Sequence, residues 1–270
     1  MQRIKLVVQY DGSPFCGLQR QAEGPGRKPS VQGVLEHALG ILFKLKSEDP
    51  VLRISAAGRT DAGVHARAMP MQFDCPFAIP AERLPVALNK FLPESVSVHS
   101  AEAVGFEFDV RHSARLRWYR YQVRLQSRRE PLGPRAWQVW KPVDLAKVEA
   151  GLPLLLGRHD FAGFRSSNCQ SARTVLVMRQ ASMRRAGDLL AFDFKCRSFL
   201  HHQVRFMVGS LMALGRGLLS MEGLLRIRDE FDRPQLAACA PAHGLCLMGV
   251  GYTPEECDAV LAEDPEPPNF

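Results

Sequence analysis

The sequence has no C-x-x-C pair among its seven cysteines, which stand at 16, 75, 169, 196, 239, 246 and 257. An odd count without close pairs argues against a disulfide framework and against a compact zinc site, and predicts free thiols in a reducing compartment. Long apolar runs are missing as well. Charges interrupt each of them before the ~20 residues that a membrane span needs. The N-terminal MQRIKLVVQYDG holds only a short apolar stretch and no cleavage-site pattern. The expectation is a soluble, cytoplasmic protein with no membrane partner. At 46% hydrophobic and 23% charged residues, a disordered or fibrous chain is excluded. The 270 residues suffice for one large domain or two ordinary ones.

Acids are scarce in one place and bases in another. The net charge is +7. Segment 111–135 carries eight arginines against a single acid, Glu130, whereas 254–270 carries six acids and no base. A charge run is ordinarily a solvated face. Here the bases are arginines, which suit bidentate phosphate contacts. They also alternate with Trp118, Tyr119 and Tyr121, which suit base stacking. This pattern points to a nucleic-acid partner.

Periodicity gives the organisation. Residues 3–10 read as a strand closed by Asp11-Gly12. Segment 20–29, with two glycines and two prolines, reads as a loop. Ser30 reads as an N-cap, with Val31, Val34, Leu35, Leu39, Leu42 and Phe43 following at helical spacing. Strands are expected at 51–57 and 68–75 and a helix at 80–92. The second half repeats the order loosely: a strand at 116–125, a helix near 143–156, strands at 173–183 and 188–196, and a long apolar helix at 199–215. The fold class expected is α+β: two pseudo-symmetric halves with mixed or antiparallel sheets, joined around a central basic cleft. The boundary is expected within 105–111. This gives a first half of 1–107, a second of 108–252 and an acidic tail of 253–270, with Pro265, Pro267 and Pro268 near its end.

Three features carry candidate chemistry. GRTDAGVHA (58–66) sets Arg59, Thr60 and Asp61 between small residues that permit close approach of a backbone or nucleotide. It lies between two expected strands, where a functional loop sits, although a tight turn capped by its own Asp has the same composition. In FLHHQVRFMVGSLMALG (199–215), Arg205 is the only permanent charge. A buried guanidinium there needs a carboxylate or phosphate from elsewhere, Asp61 being one candidate, unless it reaches solvent at the helix edge. His201 and His202 are adjacent rather than one turn apart, a poor metal pair. On the strand 115–125, Arg115, Arg117, Tyr119 and Tyr121 share one face, and Leu116, Trp118, Arg120 and Gln122 the other. The first face either lines a cleft or is solvated, with Trp118 packed inward.

Taken together, these segments resemble the TruA-type tRNA pseudouridine synthases. The likeness runs in order through YDGSPFCGLQRQ (10–21), SVQGVLEHAL (30–39), AAGRTDAGVHA (56–66), LNKFLP (88–93) and FDVRHSA (108–114). It continues with RWYRYQV (117–123), HDFAGFR (159–165), CQSARTV (169–175), FLHHQVRFMVGSL (199–211) and APAHGL (240–245). The resemblance implies two halves related by a pseudo-twofold, a homodimer, and isomerisation of uridine to pseudouridine at positions 38 to 40 of tRNA, without cofactor or metal. It implies Asp61 as the essential carboxylate, which either attacks C1′ or removes the C2′ proton. Arg205 would keep Asp61 ionised, Tyr119 would pack on the released uracil and assist at C5, and Arg59 would fill the space the base leaves. Substrate contacts are implied for Phe108, Arg111, His112, Cys169, Gln170, Ser171 and Arg173, with the arginines of 111–135 on phosphates. Two departures stand out: Leu18 where the family has Trp, and Phe108-Asp109-Val110-Arg111 where it reads FHAR, which places an acid in an expected RNA-contacting stretch. Two other readings share parts of the pattern. One is a catalytically silent RNA-binding protein. The other is a hydrolase built on Asp61, which calls for a second carboxylate.

Overall fold

A computed structural model describes residues 1–21, 26, 28–46, 49–128, 135–231 and 237–262. The strands are β1 (Gln2–Tyr10), β2 (Ser55–Ala56), β3 (His65–Cys75), β4 (Val96–Val104), β5 (Leu116–Arg124), β6 (Trp137–Gln138), β7 (Gly157–Asp160), β8 (Val175–Ala186), β9 (Leu189–Cys196) and β10 (Leu245–Gly251). The helices are α1 (Val31–Phe43), α2 (Leu84–Leu88), α3 (Leu145–Gly151), α4 (Gln203–Gly215), α5 (Met221–Asp229) and α6 (Pro254–Ala262). The described residues form two compact units, those within 1–115 with 246–257, and those within 116–245 with 258–262. Both combine antiparallel strands with helices, and the class is α+β. No helix among the described residues is long and apolar enough to cross a membrane.

In the first unit the strands run β4-β1-β3-β10. β1 is antiparallel to β3 and β4, and β10 lies parallel to β3. Ile4, Leu6 and Val8 alternate along β1 and are fully buried, as a strand with one covered face requires. Ser30 caps α1 through its hydroxyl, which accepts from Gly33 N at 3.0 Å. Val31, Leu35 and Leu39 form the buried stripe of that helix. The opposite face of β1 is polar: Arg3 pairs with Asp74 at 2.7 Å. That guanidinium holds the Asp74 carboxyl below the usual carboxylate range. A lowered carboxyl pKa stabilises above its unfolded value, about 3.9, and the contribution is lost as pH falls through the folded one. Both partners are partly exposed, so the pair is worth less than about 1 kcal/mol. Asp74→Asn is expected to flatten the acid limb of the stability curve below pH ~4 by that amount. Urea melts at a series of pH values check it.

The second unit orders its strands β5-β9-β8-β7, all antiparallel. Gly187, at φ +62°, turns β8 into β9. Strand β5 is buried on both faces from Leu116 to Val123. On one face Tyr119 and Tyr121 stand opposite Phe194 and Phe192. On the other, Arg120 stands opposite Asp193, and its Nε and Nη2 donate to the two carboxylate oxygens at 2.8 and 3.0 Å. Trp118 Nε1 donates to the same carboxylate at 2.6 Å and Arg184 at 3.1 Å. Lys195 Nζ lies 4.8 Å from the centre of the Trp118 indole. The expectation that the arginines of 111–135 are phosphate contacts therefore fails at Arg120. It is 1% exposed and committed to Asp193.

Residues 105–111, the expected boundary, lie within the first unit, and 246–252, expected in the second half, also belong to the first. The expected helix 80–92 is a 3-10 turn at 81–83 followed by the short α2, because Pro85 allows only a helix start there. The expected strand 51–57 is a 3-10 turn at 50–52 followed by the two-residue β2. The expected helix 143–156 breaks at Pro153 into α3 and a 3-10 turn. Half of the expected loop 20–29 (22–25 and 27), residues 129–134 of the arginine-rich segment and the tail prolines lie outside the described residues.

Candidate active site

The loop 58–66 hangs between β2 and β3 and is clamped from β1 and from the segment after it. At the end of β1, Tyr10 OH and Thr60 Oγ1 share a buried hydrogen bond of 2.7 Å. Leu18 N donates to Thr60 O at 3.0 Å, and Gly17 bridges Asp61 as an isolated antiparallel pair. Val64 N closes the turn onto Asp61 O at 3.1 Å. His65 Nδ1 lies 3.1 Å from Gly12 N and 3.0 Å from Asp11 Oδ1. It either accepts from Gly12 or, when protonated, donates to Asp11. Thr60 and His65 are buried, Asp61 is half-buried and Arg59 is exposed. The turn thus fixes the Asp61 backbone on both sides and leaves the residue half-buried, an arrangement that holds a carboxylate in one place.

Two glycines permit this clamp. Gly17 has φ +120°, a conformation L side chains rarely adopt. A Cβ on Gly12 would lie 2.0 Å from Val64 O, a backbone atom that cannot swing aside. Gly12→Ala is expected to push the 60–65 loop off β1 and to lower both activity and melting temperature. A calorimetric scan and a rate measurement on the same preparation check it.

Of the residues expected to contact substrate, Arg59, Arg111 and His112 line one cleft of about 650 Å³ in the first unit. Asp109, the departure from the family pattern, is engaged locally. Its Oδ1 accepts from Arg111 N at 2.8 Å and His112 N at 2.7 Å and pairs with the His112 ring at 3.0 Å. These contacts, the His112 amide first, hold its carboxyl below the ordinary range. Phe108 packs against Tyr252, ring centres 5.0 Å apart, with its carbonyl accepting from Arg3.

The other expected residues lie in the second unit. Tyr119 meets Phe199 edge-on at 5.1 Å. Arg205 is half-buried on α4. Its Nε donates to Ala240 O at 2.8 Å, while Ala240 N returns a bond to Arg205 O at 3.2 Å. The APAHGL segment is thereby tied to the helix. Its Pro241 carbonyl accepts from Tyr121 OH at 2.7 Å. Burial pushes the Tyr121 phenol well above its ordinary range, opposed by the Arg205 charge, so it remains a donor. Cys169 is half-buried, and Gln170, Ser171 and Arg173 are exposed. Arg165 holds their loop through Ser171 O at 3.1 Å, and Ser166 N ties it to His201 O at 2.9 Å.

Sequence reasoning passed over two features. Gln32 and Glu36, one turn apart on α1, form a polar pair that holds the backbone of Ile54, four residues before the GRTDAGVHA loop. The available signal was a Gln and a Glu set at helical spacing in an apolar stripe. His202 sits just before α4 at φ +63°, a strained backbone for a non-glycine residue. Nothing in the local sequence announces it.

Comparison with known proteins gives these positions a family. The family model for tRNA pseudouridine synthase matches residues 6–113 and 153–253. A protein of Methylobacterium nodulans named tRNA pseudouridine synthase A is 42% identical over 255 residues, 93% of this chain and 96% of its own. One of the same name from Thermus thermophilus is 42% identical over 259 residues, 95% and 98% of the two chains. The matched residues include the clamped turn with Asp61 and helix α4, and strand β5 lies between the two matched stretches. The chain belongs to the tRNA pseudouridine synthase family, whose enzymes isomerise uridine to pseudouridine in tRNA.

Proposed function

We propose that this enzyme converts uridine to pseudouridine at positions 38 to 40 of the tRNA anticodon arm, with Asp61 as its essential carboxylate. The observation that carries the reading is the Asp61 turn, held from both sides by Gly17 and Val64 within a chain of this family. The reaction breaks the C1′–N1 bond, turns the uracil and joins C5 to C1′. C5 loses a proton, and N1 of the product carries one. The base first leaves its stack, at a cost of a few kcal/mol. Asp61 serves either by attacking C1′ or by taking the C2′ proton. Arg59, exposed and two residues away, is suited to fill the gap in the stack. From the second unit, Tyr119 is assigned to pack on the released uracil and assist at C5, and Arg205 to supply the cation of the chemistry. Phe108, Arg111, His112, Cys169, Gln170, Ser171 and Arg173 are assigned to the RNA. The reading includes a cytoplasmic homodimer that needs no cofactor or metal.

The test is tRNA labelled with [5-³H]uridine. The expected result is tritium release with pseudouridine recovered as the nucleoside. Free uracil in the digest would instead indicate hydrolysis, and no release would leave an RNA-binding protein.

A further inference from the structure

The cleft that Arg59 shares with Arg111 and His112 lies entirely in the first unit and contains more than the reaction asks for. Its volume, about 650 Å³, is within the roughly 300–1,000 Å³ of ligand sites. It opens beside Gly58 and Arg59, at the start of the loop that carries Asp61. Four arginines, Arg20, Arg53, Arg59 and Arg111, line it with three carboxylates, Glu36, Asp49 and Asp109.

The carboxylates are engaged inside the protein. Glu36 is 4% exposed; its Oε1 accepts from Gln32 Nε2 at 2.8 Å and Ile54 N at 3.1 Å, and its Oε2 faces Arg20 at 3.5 Å. Asp49 caps Val51 N at 3.0 Å. Asp109 holds the Arg111 and His112 amides. Arg53 and Arg59 are exposed, and neither has a carboxylate partner among the described residues. Four guanidiniums against three carboxylates leave the lining a net charge of +1, and the two exposed guanidiniums without a carboxylate partner favour an anion over a cation. Among the described residues the lining holds no Phe, Tyr or Trp, so the broad aromatic platform typical of base stacking is missing there. Guanidiniums without such a platform suit the phosphodiester backbone.

We propose that this cleft is a phosphate subsite for the tRNA backbone, separate from the reacting nucleotide. Arg53 grips the phosphodiester, while Arg59 keeps its place at the reacting nucleotide. The Gln32–Glu36 pair positions Arg20 and the Ile54 backbone that make the wall. The proposal rests on tRNA being the substrate.

The test measures tRNA affinity of the full-length chain against salt. Arg53→Ala is expected to weaken binding about tenfold and to flatten the slope of log affinity against log salt by roughly 0.7–0.9. Arg53 is exposed, so the variant is expected to fold. Arg53→Lys is expected to keep the slope but only part of the affinity, because an ammonium lacks the bidentate fork. Arg83→Ala, which removes an equal charge from an exposed turn outside the cleft, is expected to change neither. Equal effects of Arg53→Ala and Arg83→Ala would overturn the proposal. Inorganic phosphate at constant ionic strength is expected to compete no better than chloride. Stronger competition that disappears in Arg53→Ala would reassign the cleft to free phosphate and also overturn it. Tritium release by the wild type separates the two failures. An active wild type with an unaffected Arg53→Ala sinks the subsite alone. An inactive wild type whose Arg53→Ala still loses affinity sinks the reaction and leaves the subsite standing.

Discussion

Asp61→Ala is expected to abolish turnover while leaving tRNA affinity within a few-fold of the wild type. The turn is built from backbone contacts of Thr60, Asp61 and Val64 and from the Thr60 hydroxyl, all of which survive removal of the Asp61 carboxylate. RNA affinity comes chiefly from phosphate contacts, which a carboxylate does not make. Both routes open to Asp61, attack at C1′ or proton removal at C2′, are closed to alanine. The loss is therefore expected in the rate constant rather than in binding, and single-turnover kinetics at saturating enzyme separate the two. Asp61→Asn keeps the shape of the side chain without its charge and is expected to fail equally. Measurable multiple turnover by Asp61→Ala would remove Asp61 from the chemistry.

The largest effect on stability is expected at Asp193. This carboxylate is 2% exposed and accepts from Trp118, Arg120 and Arg184. Asp193→Ala would leave Arg120, itself 1% exposed, without its counter-charge. Breaking a buried pair from one side costs about 3–5 kcal/mol, which corresponds to a fall in melting temperature of about 10 °C. The double variant Arg120→Met, Asp193→Leu removes both charges and is expected to recover part of the loss, since it also takes the acceptor from the buried Trp118 N–H and the partner from Arg184. Because Arg120 is spent inside the sheet, the double variant is also expected to retain tRNA affinity. A recovered melting temperature with weakened RNA binding would return Arg120 to the phosphate path.

Arg120 shows why part of the fold was legible in the sequence and part was not. Side-chain alternation along 115–125 gave the two faces of β5 correctly, but period two says nothing about what covers each face. The residue that neutralises Arg120 lies 73 positions away, in an AFDFKC stretch whose Asp looks like any polar position on a strand. Elements with strong local signals read well. Ser30 and the stripe behind it gave α1, and Gly187 closes the β8–β9 hairpin where the two expected strands left a gap. Strands β4 and β10 had no such signal: VSVHSAEAV is half polar on a sheet edge, and LCLMGVG carries glycines with little strand propensity. β10 pairs in parallel with β3 across some 180 residues of sequence, and no local pattern encodes such a contact. At the site, the loop 58–66 was conspicuous for its composition. Its clamps, Gly12 on Val64 and Tyr10 on Thr60, are tertiary contacts that composition does not show. Asp109, which looked like a charge set against RNA, is occupied with its own turn.

The most direct test of the central claim is to map pseudouridine in tRNA from cells with and without this protein, and again after complementation with wild type or Asp61→Ala. The account predicts pseudouridine at positions 38 to 40 only where the wild type is present, with uridine at those positions in the Asp61→Ala cells. Pseudouridine that persists at 38 to 40 without the protein, or that is restored by Asp61→Ala, would contradict it.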